Sequence, residues 1–135
     1  MSKPVSAVPE GYHSVTPYLI VDDAAALIAF LSATFRATEL SRQTQPDGSI
    51  GHTEMKIGDS IVMLSQSRGP WKAMPCMVYV YLEDVDAVYA RALAAGATSI
   101  HAPADQTYGD RSGGVLDSNG NQWWIATHQS ERGNT

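Results

Sequence analysis

Cysteine is almost missing from this sequence: its 135 residues contain one, Cys76. That excludes an intrachain disulfide and a cysteine-built zinc cluster, and makes a reducing, cytoplasmic setting the simplest expectation. Cys76 follows Pro75 at the head of an apolar run and reads as a packing residue, since free cysteines are usually buried. Basic charge is scarce as well. Nine Lys and Arg stand against fourteen Asp and Glu, a formal net charge of -5. Nucleic acid and anionic membrane surfaces both demand a basic face, so neither is an expected partner. No apolar run approaches the roughly 20 residues of a membrane-spanning helix. Residues 1–10 hold two prolines and no hydrophobic stretch of the kind a secretory leader needs. A phosphate-binding glycine loop is missing too, because Gly109, Gly113 and Gly114 lack the strand-to-helix setting it requires. No serine has the glycine neighbours of a nucleophile elbow.

What the chain does have is enough apolar residue, 44%, to build the core of one compact domain. It also has a repeat. Residues 16–23 read T-P-Y-L-I-V-D-D and residues 77–84 read M-V-Y-V-Y-L-E-D. Each is an apolar run closed by two acids and followed by helical spacing: Leu27, Phe30, Leu31, Thr34 and Phe35 in the first case, Val85, Val88, Tyr89, Ala92 and Leu93 in the second. Asp22 or Asp23, and Asp84, suit the N-cap, where a carboxylate accepts from free first-turn N–H groups. Gly96 suits the C′ position of the second helix, and Arg36 is a weaker stop at the matching place in the first. Three strand-like runs follow each helix: 37–42, 51–57 and 60–65 in the first half, and 97–102, 108–116 and 121–127 in the second. Gly58-Asp59 reads as a type I′ hairpin turn. The halves superpose with an offset of about 60 residues in the order strand–helix–strand–strand–strand. The expected fold class is α+β, with tandem βαβββ modules over residues 13–66 and 76–128, a linker at 67–75, an N-terminal extension at 1–12 and a C-terminal tail at 129–135. One helix covers only one face of a four-stranded sheet, so two such sheets leave concave faces able to enclose a cavity as a cup-shaped incomplete barrel.

Gly11 to Leu19 with Val21-Asp22-Asp23, Gly51-His52-Thr53-Glu54 with Ile57 to Ser60, Tyr108 to Arg111, Gly113-Gly114-Val115, and Trp123 to His128 together resemble the vicinal oxygen chelate superfamily, which includes the glyoxalase and bleomycin-resistance proteins. The likeness covers about residues 10–128 and is nearest to the PhnB-like branch. It departs where that branch carries F-Y-x-x-x-F-G-A and this chain has Phe30 to Ala37, with Arg36 in place of the glycine. The resemblance implies two modules forming a cup, commonly in a homodimer. In metalloenzymes of the superfamily, four side chains hold a divalent ion, one from the first and one from the last strand of each module. Carried over, those positions are Thr16, Val62 or Met63, Met77 and Trp124. None supplies the imidazole or carboxylate such an ion prefers. A one-residue slip brings in Val15 or Pro17, Ile61 or Leu64, Cys76 or Val78, and Trp123 or Ile125, which do no better. No metal and no other cofactor is expected.

Other side chains remain as candidates. His52 and Glu54 are two apart on a strand and share a face, where they can contact a ligand, work as base and orienting acid, or merely cover the sheet. Arg111 can clamp an anion, or can pair with an aspartate and fix a loop. Trp123 and Trp124 must face opposite sides of their strand, one under a helix and one toward the cup. Trp71 and Met74 can cover the mouth or a dimer contact, and Met55 and Met63 read as core filler. His13, His101 and His128 lie near element ends and are expected to satisfy backbone or water.

The expected function is binding of a small organic molecule in the cup, as in resistance by sequestration. The ligand-binding candidates are Thr16, His52, Glu54, Met77, Tyr108, Arg111 and Trp124. Two alternatives stay open: a lyase or isomerase using His52 and Glu54, with or without a metal, and a domain that mainly self-associates.

Overall fold

A computed structural model describes residues 4–131. The expectations for the ends of the chain lie partly outside that span, at residues 1–3 and 132–135. The first module runs β1 (Tyr18–Val21), α1 (Ala24–Phe35), β2 (Thr38–Thr44), β3 (Ile50–Ile57) and β4 (Ser60–Gln66). The second repeats it as β5 (Met77–Tyr81), α2 (Val85–Ala94), β6 (Thr98–Asp105), β7 (Asp110–Leu116) and β8 (Gln122–His128). The sheets have the orders β1-β4-β3-β2 and β5-β8-β7-β6. In each, the first strand is parallel to the last and the rest are antiparallel. This is the α+β fold of two βαβββ modules.

Each helix begins where an aspartate takes over the free amides. Asp23, not Asp22, caps α1, its Oδ1 accepting from the Ala26 N–H at 3.0 Å. Asp84 does the same for α2 through Ala87, at 3.3 Å. The last strand of each module adds a second cap. Gln66 Oε1 accepts from the Ala24 N–H, while its amide donates to the Asp22 carbonyl. Thr127 Oγ1 accepts from the Val85 N–H and donates to the Leu82 carbonyl. These two residues occupy equivalent places in the repeat. Arg36 ends α1 in the left-handed region at φ 54°, the conformation a glycine would take most easily. The β3–β4 turn differs from expectation: Gly58 has φ 58°, but Asp59 is not among the positive-φ residues. That is the II′ signature, with only the first central residue in the left-handed half of the map.

α1 buries seven of its twelve residues because it faces more than its own sheet. Trp123, fully buried on β8, packs against Phe30 and Phe35 of α1 with ring centroids 6.1 and 5.5 Å apart. Arg91 of α2 donates from Nε to the Thr34 carbonyl at 3.0 Å. The modules thus share one core, from Leu19 and Leu27 through Met55 and Leu64 to Val115 and Ile125. The turn before β8 is tied to it. Asp117 Oδ2 accepts from the Trp123 indole N–H at 2.8 Å, and Oδ1 accepts from the backbone N–H groups of Asn119 and Asn121. Asn119 then reaches the other module, its side chain both accepting from and donating to the backbone of Asp23.

Both helices lie on one side of their sheets, so the other faces stay open. Cys76 packs against the core as a packing residue should, though it is half-buried and not enclosed. Asp117→Ala removes the acceptor for a buried indole and two amides. It is expected to cost roughly 2–4 kcal/mol, read as a lower urea midpoint at unchanged slope.

Candidate functional site

Alternation along each strand decides what lines the open faces. On β3, Thr53, Met55 and Ile57 are buried beneath α1, which leaves His52 and Glu54 on the concave side. On β4, Val62 and Leu64 are buried, so Met63 is the residue that faces the cup. On β5, Met77, Tyr79 and Tyr81 alternate with the partly covered Val78 and Val80. On β8, Trp123 and Ile125 go under the helix, and Trp124 and His128 face the open side. The two tryptophans therefore divide as their adjacency requires.

On the first module, three side chains connect. Tyr18 Oη lies 3.1 Å from His52 Nδ1, and His52 Nε2 lies 2.8 Å from Glu54 Oε2. An ionised carboxylate can only accept, so Nε2 carries the hydrogen and Nδ1 accepts from the phenol. Beside this chain is a cavity of about 540 Å³, lined by Tyr18, Ile20, Gln43, Gln45, His52, Ser65, Arg68 and Trp71 among others. Thr16 lies just before β1, where residues 7–14 run past Glu54 and Met63.

On the second module, Trp124 lies flat over Gly114: a Cβ at that position would come within 2.9 Å of its ring carbons. Its indole N–H donates to Gln122 Oε1 at 3.0 Å. At the other end of the same face, Asp110 is buried, with its side chain 0% exposed. Its Oδ2 accepts from the hydroxyls of Tyr79 and Tyr81, each at 2.8 Å, and its Oδ1 lies 2.8 Å from His128 Nδ1. Tyr108 Oη is 3.4 Å from Tyr79 Oη. Burial alone would raise the pKa of Asp110, but the hydrogen bonds from His128, Tyr79 and Tyr81 outweigh it and hold the carboxyl below its ordinary 3.8. Burial, with the bonds to Tyr108 and Asp110, pushes the Tyr79 phenol far up.

Of the candidates read from the sequence, His52 and Glu54 meet on the first module's concave face. Met77 and Trp124 share the second's, and Tyr108 reaches the Tyr79 hydroxyl there. Arg111 does not join them. It points to the helix side, donating from Nε and from one terminal nitrogen to Asp86 of α2, both at 2.9 Å, and from the other to Asp105 at 3.3 Å. Of the two readings of Arg111, pairing with aspartate is the one found, and the anion-clamp role is corrected: the fork is already filled by carboxylates. His128 also departs from expectation, since its partner is the Asp110 carboxylate and not backbone or water. Tyr18, Tyr79 and Tyr81 were not singled out from the sequence, and Asp110 was read only as part of the motif from Tyr108 to Arg111. The Y-V-Y alternation at 79–81 was the available signal, because it sets two phenols on one face. Among the described residues, no three His, Cys, Asp or Glu side chains group as an ion site would need, and no helix is long and apolar enough to cross a membrane.

Comparison with known proteins gives these features a family. The model of the glyoxalase/bleomycin resistance protein/dioxygenase superfamily matches residues 11–125, and the chain belongs to that superfamily. It is 39% identical over 121 residues to the uncharacterized protein Mb0911c of Mycobacterium bovis, covering 82% of this chain and 80% of that one. The crystal structure of TioX from Micromonospora sp. ML1 superposes with a TM-score of 0.74 at 27% identity, over 86% of this chain and 98% of the other. The fosfomycin resistance protein FosX of Mesorhizobium loti shares the fold, with a TM-score of 0.64 at 18% identity over 87% and 92% of the chains.

Asp110→Asn keeps the shape and removes the charge that three donors share. At neutral pH it is expected to destabilise by on the order of 1–3 kcal/mol. Because the folded carboxyl titrates below 3.8, its contribution is present above that pH and is lost as pH falls through the lower folded value. Wild type and variant should therefore converge in stability in acid, as followed by thermal unfolding across a pH series.

Proposed function

We propose that this protein binds a small organic molecule on its concave faces without a metal ion, in a homodimer whose subunits close the cups. The observation that carries the reading is the chemistry at the four positions where the superfamily's metalloenzymes place ligands. Thr16 offers a hydroxyl, Met63 and Met77 offer thioethers, and the Trp124 indole N–H is a donor already engaged with Gln122. A hard or borderline divalent ion is poorly served by that set. The same faces carry stacking and apolar surface instead: Tyr18, Trp71, Met77, Tyr79 and Tyr81 are each more than two-fifths exposed. Exposed apolar area of this kind favours a ligand, a partner subunit or both. Dimer closure is supported by the contacts within one chain, which join the modules chiefly through α1 and α2 and leave the sheets unpaired with each other. The motifs at 108–128 support a place in the PhnB-like branch. The single cysteine and net charge of -5 support a cytoplasmic setting without nucleic acid or membrane as partner.

Native mass spectrometry of the purified protein tests this reading. The expected result is a dimer that retains a small organic molecule, or takes up added bleomycin, equally well before and after EDTA treatment. A monomer that binds nothing, or a stoichiometric divalent ion whose removal abolishes binding, overturns it.

The Tyr18–His52–Glu54 chain supports a second, catalytic reading. Glu54 orients the imidazole, and Nδ1 is placed to take the phenol proton, so that Tyr18 can serve as a base toward a molecule in the adjoining cavity. If the protein isomerises the hemithioacetal of methylglyoxal and glutathione, His52→Ala should lower kcat by about a hundredfold or more while thermal stability is kept. Unchanged turnover in that variant removes His52 from the chemistry.

A further inference from the structure

The second module holds a charge with no cationic side chain at its centre. Asp110 is completely enclosed, and the groups that satisfy it are two phenols and an imidazole, not a lysine or arginine. His128, the one member that can become cationic, has a second carboxylate, Glu131, 3.9 Å from its Nε2. The charge is therefore relayed outward through Tyr79 and Tyr81. A phenol that donates its hydrogen to a carboxylate gains electron density on the ring, and the negative ring face is what attracts a cation. The two rings stand 5.2 Å apart at 58°, two walls set at an angle, and are 42% and 53% exposed. Both line a cleft of about 590 Å³ that runs beside β5 to the N-terminal arm and the β3–β4 turn. Its far wall is made by His13, Val15, Pro17 and Ile61, with Asp59 at the turn, and no lysine or arginine lines it.

We infer that Tyr79 and Tyr81, backed by Asp110, form a site for an organic ammonium group, with quaternary alkylammonium as the best fit. Such a cation is too bulky and too poor in N–H to reach the enclosed carboxylate directly. It rests on the ring faces and feels the carboxylate behind them, while its methyl groups meet Val15 and Pro17. An anion finds no lysine or arginine in this cleft and meets Asp59 at its edge, and an uncharged ligand of the same shape gains only the apolar contact. The inference rests on the reading that the concave side takes an organic ligand, and it adds the charge and the place of that ligand.

The test compares choline with its uncharged carbon isostere, 3,3-dimethylbutanol, by calorimetry and by NMR of the ligand methyl protons. Choline is expected to bind at least about tenfold more tightly, with its methyl resonance moved upfield by the ring currents. Tyr81→Leu and Tyr79→Leu should each weaken choline by about tenfold or more, whereas Tyr81→Phe, which keeps the ring, should lose only a few-fold. Thermal unfolding checks that each variant is folded; both side chains are exposed enough for that to be expected. Equal binding of choline and the isostere, no choline binding at tens of millimolar, or indifference to both leucine variants overturns the site. If choline fails while native mass spectrometry still finds a neutral or anionic organic ligand, the ammonium site falls and the binding reading survives. If neither binds, both fall.

Discussion

Trp123 set against Phe30 and Phe35 is the contact on which the architecture depends. A single helix can cover one face of a four-stranded sheet and no more, so each βαβββ module alone would leave its helix half bare. Here the second sheet sends its largest core side chain into the first helix, and α2 packs beside α1, so α1 is largely buried between the modules while α2 buries Val85, Val88 and Ala92. The indole N–H would be costly in that position without an acceptor, and Asp117 provides one. Because burial is spent on the helix side, the opposite faces are left largely open among the described residues, apart from the N-terminal arm beside Glu54 and Met63. The open cups follow from how the core is built.

Those faces have diverged although the scaffold has not. Gln66 and Thr127 still perform the same capping duty in the two modules, as do Asp23 and Asp84. Tyr18 and Tyr79 also hold matching places, each on the edge strand with its hydroxyl engaged. Yet the first leads to a half-buried imidazole–carboxylate pair and the second to an enclosed carboxylate. Similar backbones thus carry two different electrostatic environments, one a phenol–imidazole–carboxylate chain beside a cavity and one an enclosed carboxylate held by two phenols and an imidazole.

Much of this was legible in the sequence. The paired acids before each helix marked the caps, the roughly sixty-residue offset marked the modules, and the adjacent tryptophans had to part. His52 and Glu54 were readable as a pair because period-two alternation is a local property. The Asp110 cluster was not, because it joins β5, β7 and β8, and no local pattern says which strands will be neighbours. The clamp reading of Arg111 fell for a related reason, whereas the alternative, pairing with an aspartate, held. Reading the strand from Tyr108 leaves open which parity faces the helix, and only the packing of α2, with Asp86 in reach, decides it. The turn at Gly58-Asp59 was read from its dipeptide, whereas its backbone follows the strand twist with one left-handed residue.

The loop before β8 carries a consequence for how the gene could be rearranged. Asn119 clasps the backbone at Asp23, 96 residues away along the chain. The matching turn of the first module, Gly58-Asp59, is too short to return the grip on Asp84. The halves are therefore not interchangeable: two copies of the first module joined in tandem would lack the clasp, whereas a permuted chain that opens within the linker at 67–75 would keep it, since order along the polypeptide matters less here than which turn meets which helix.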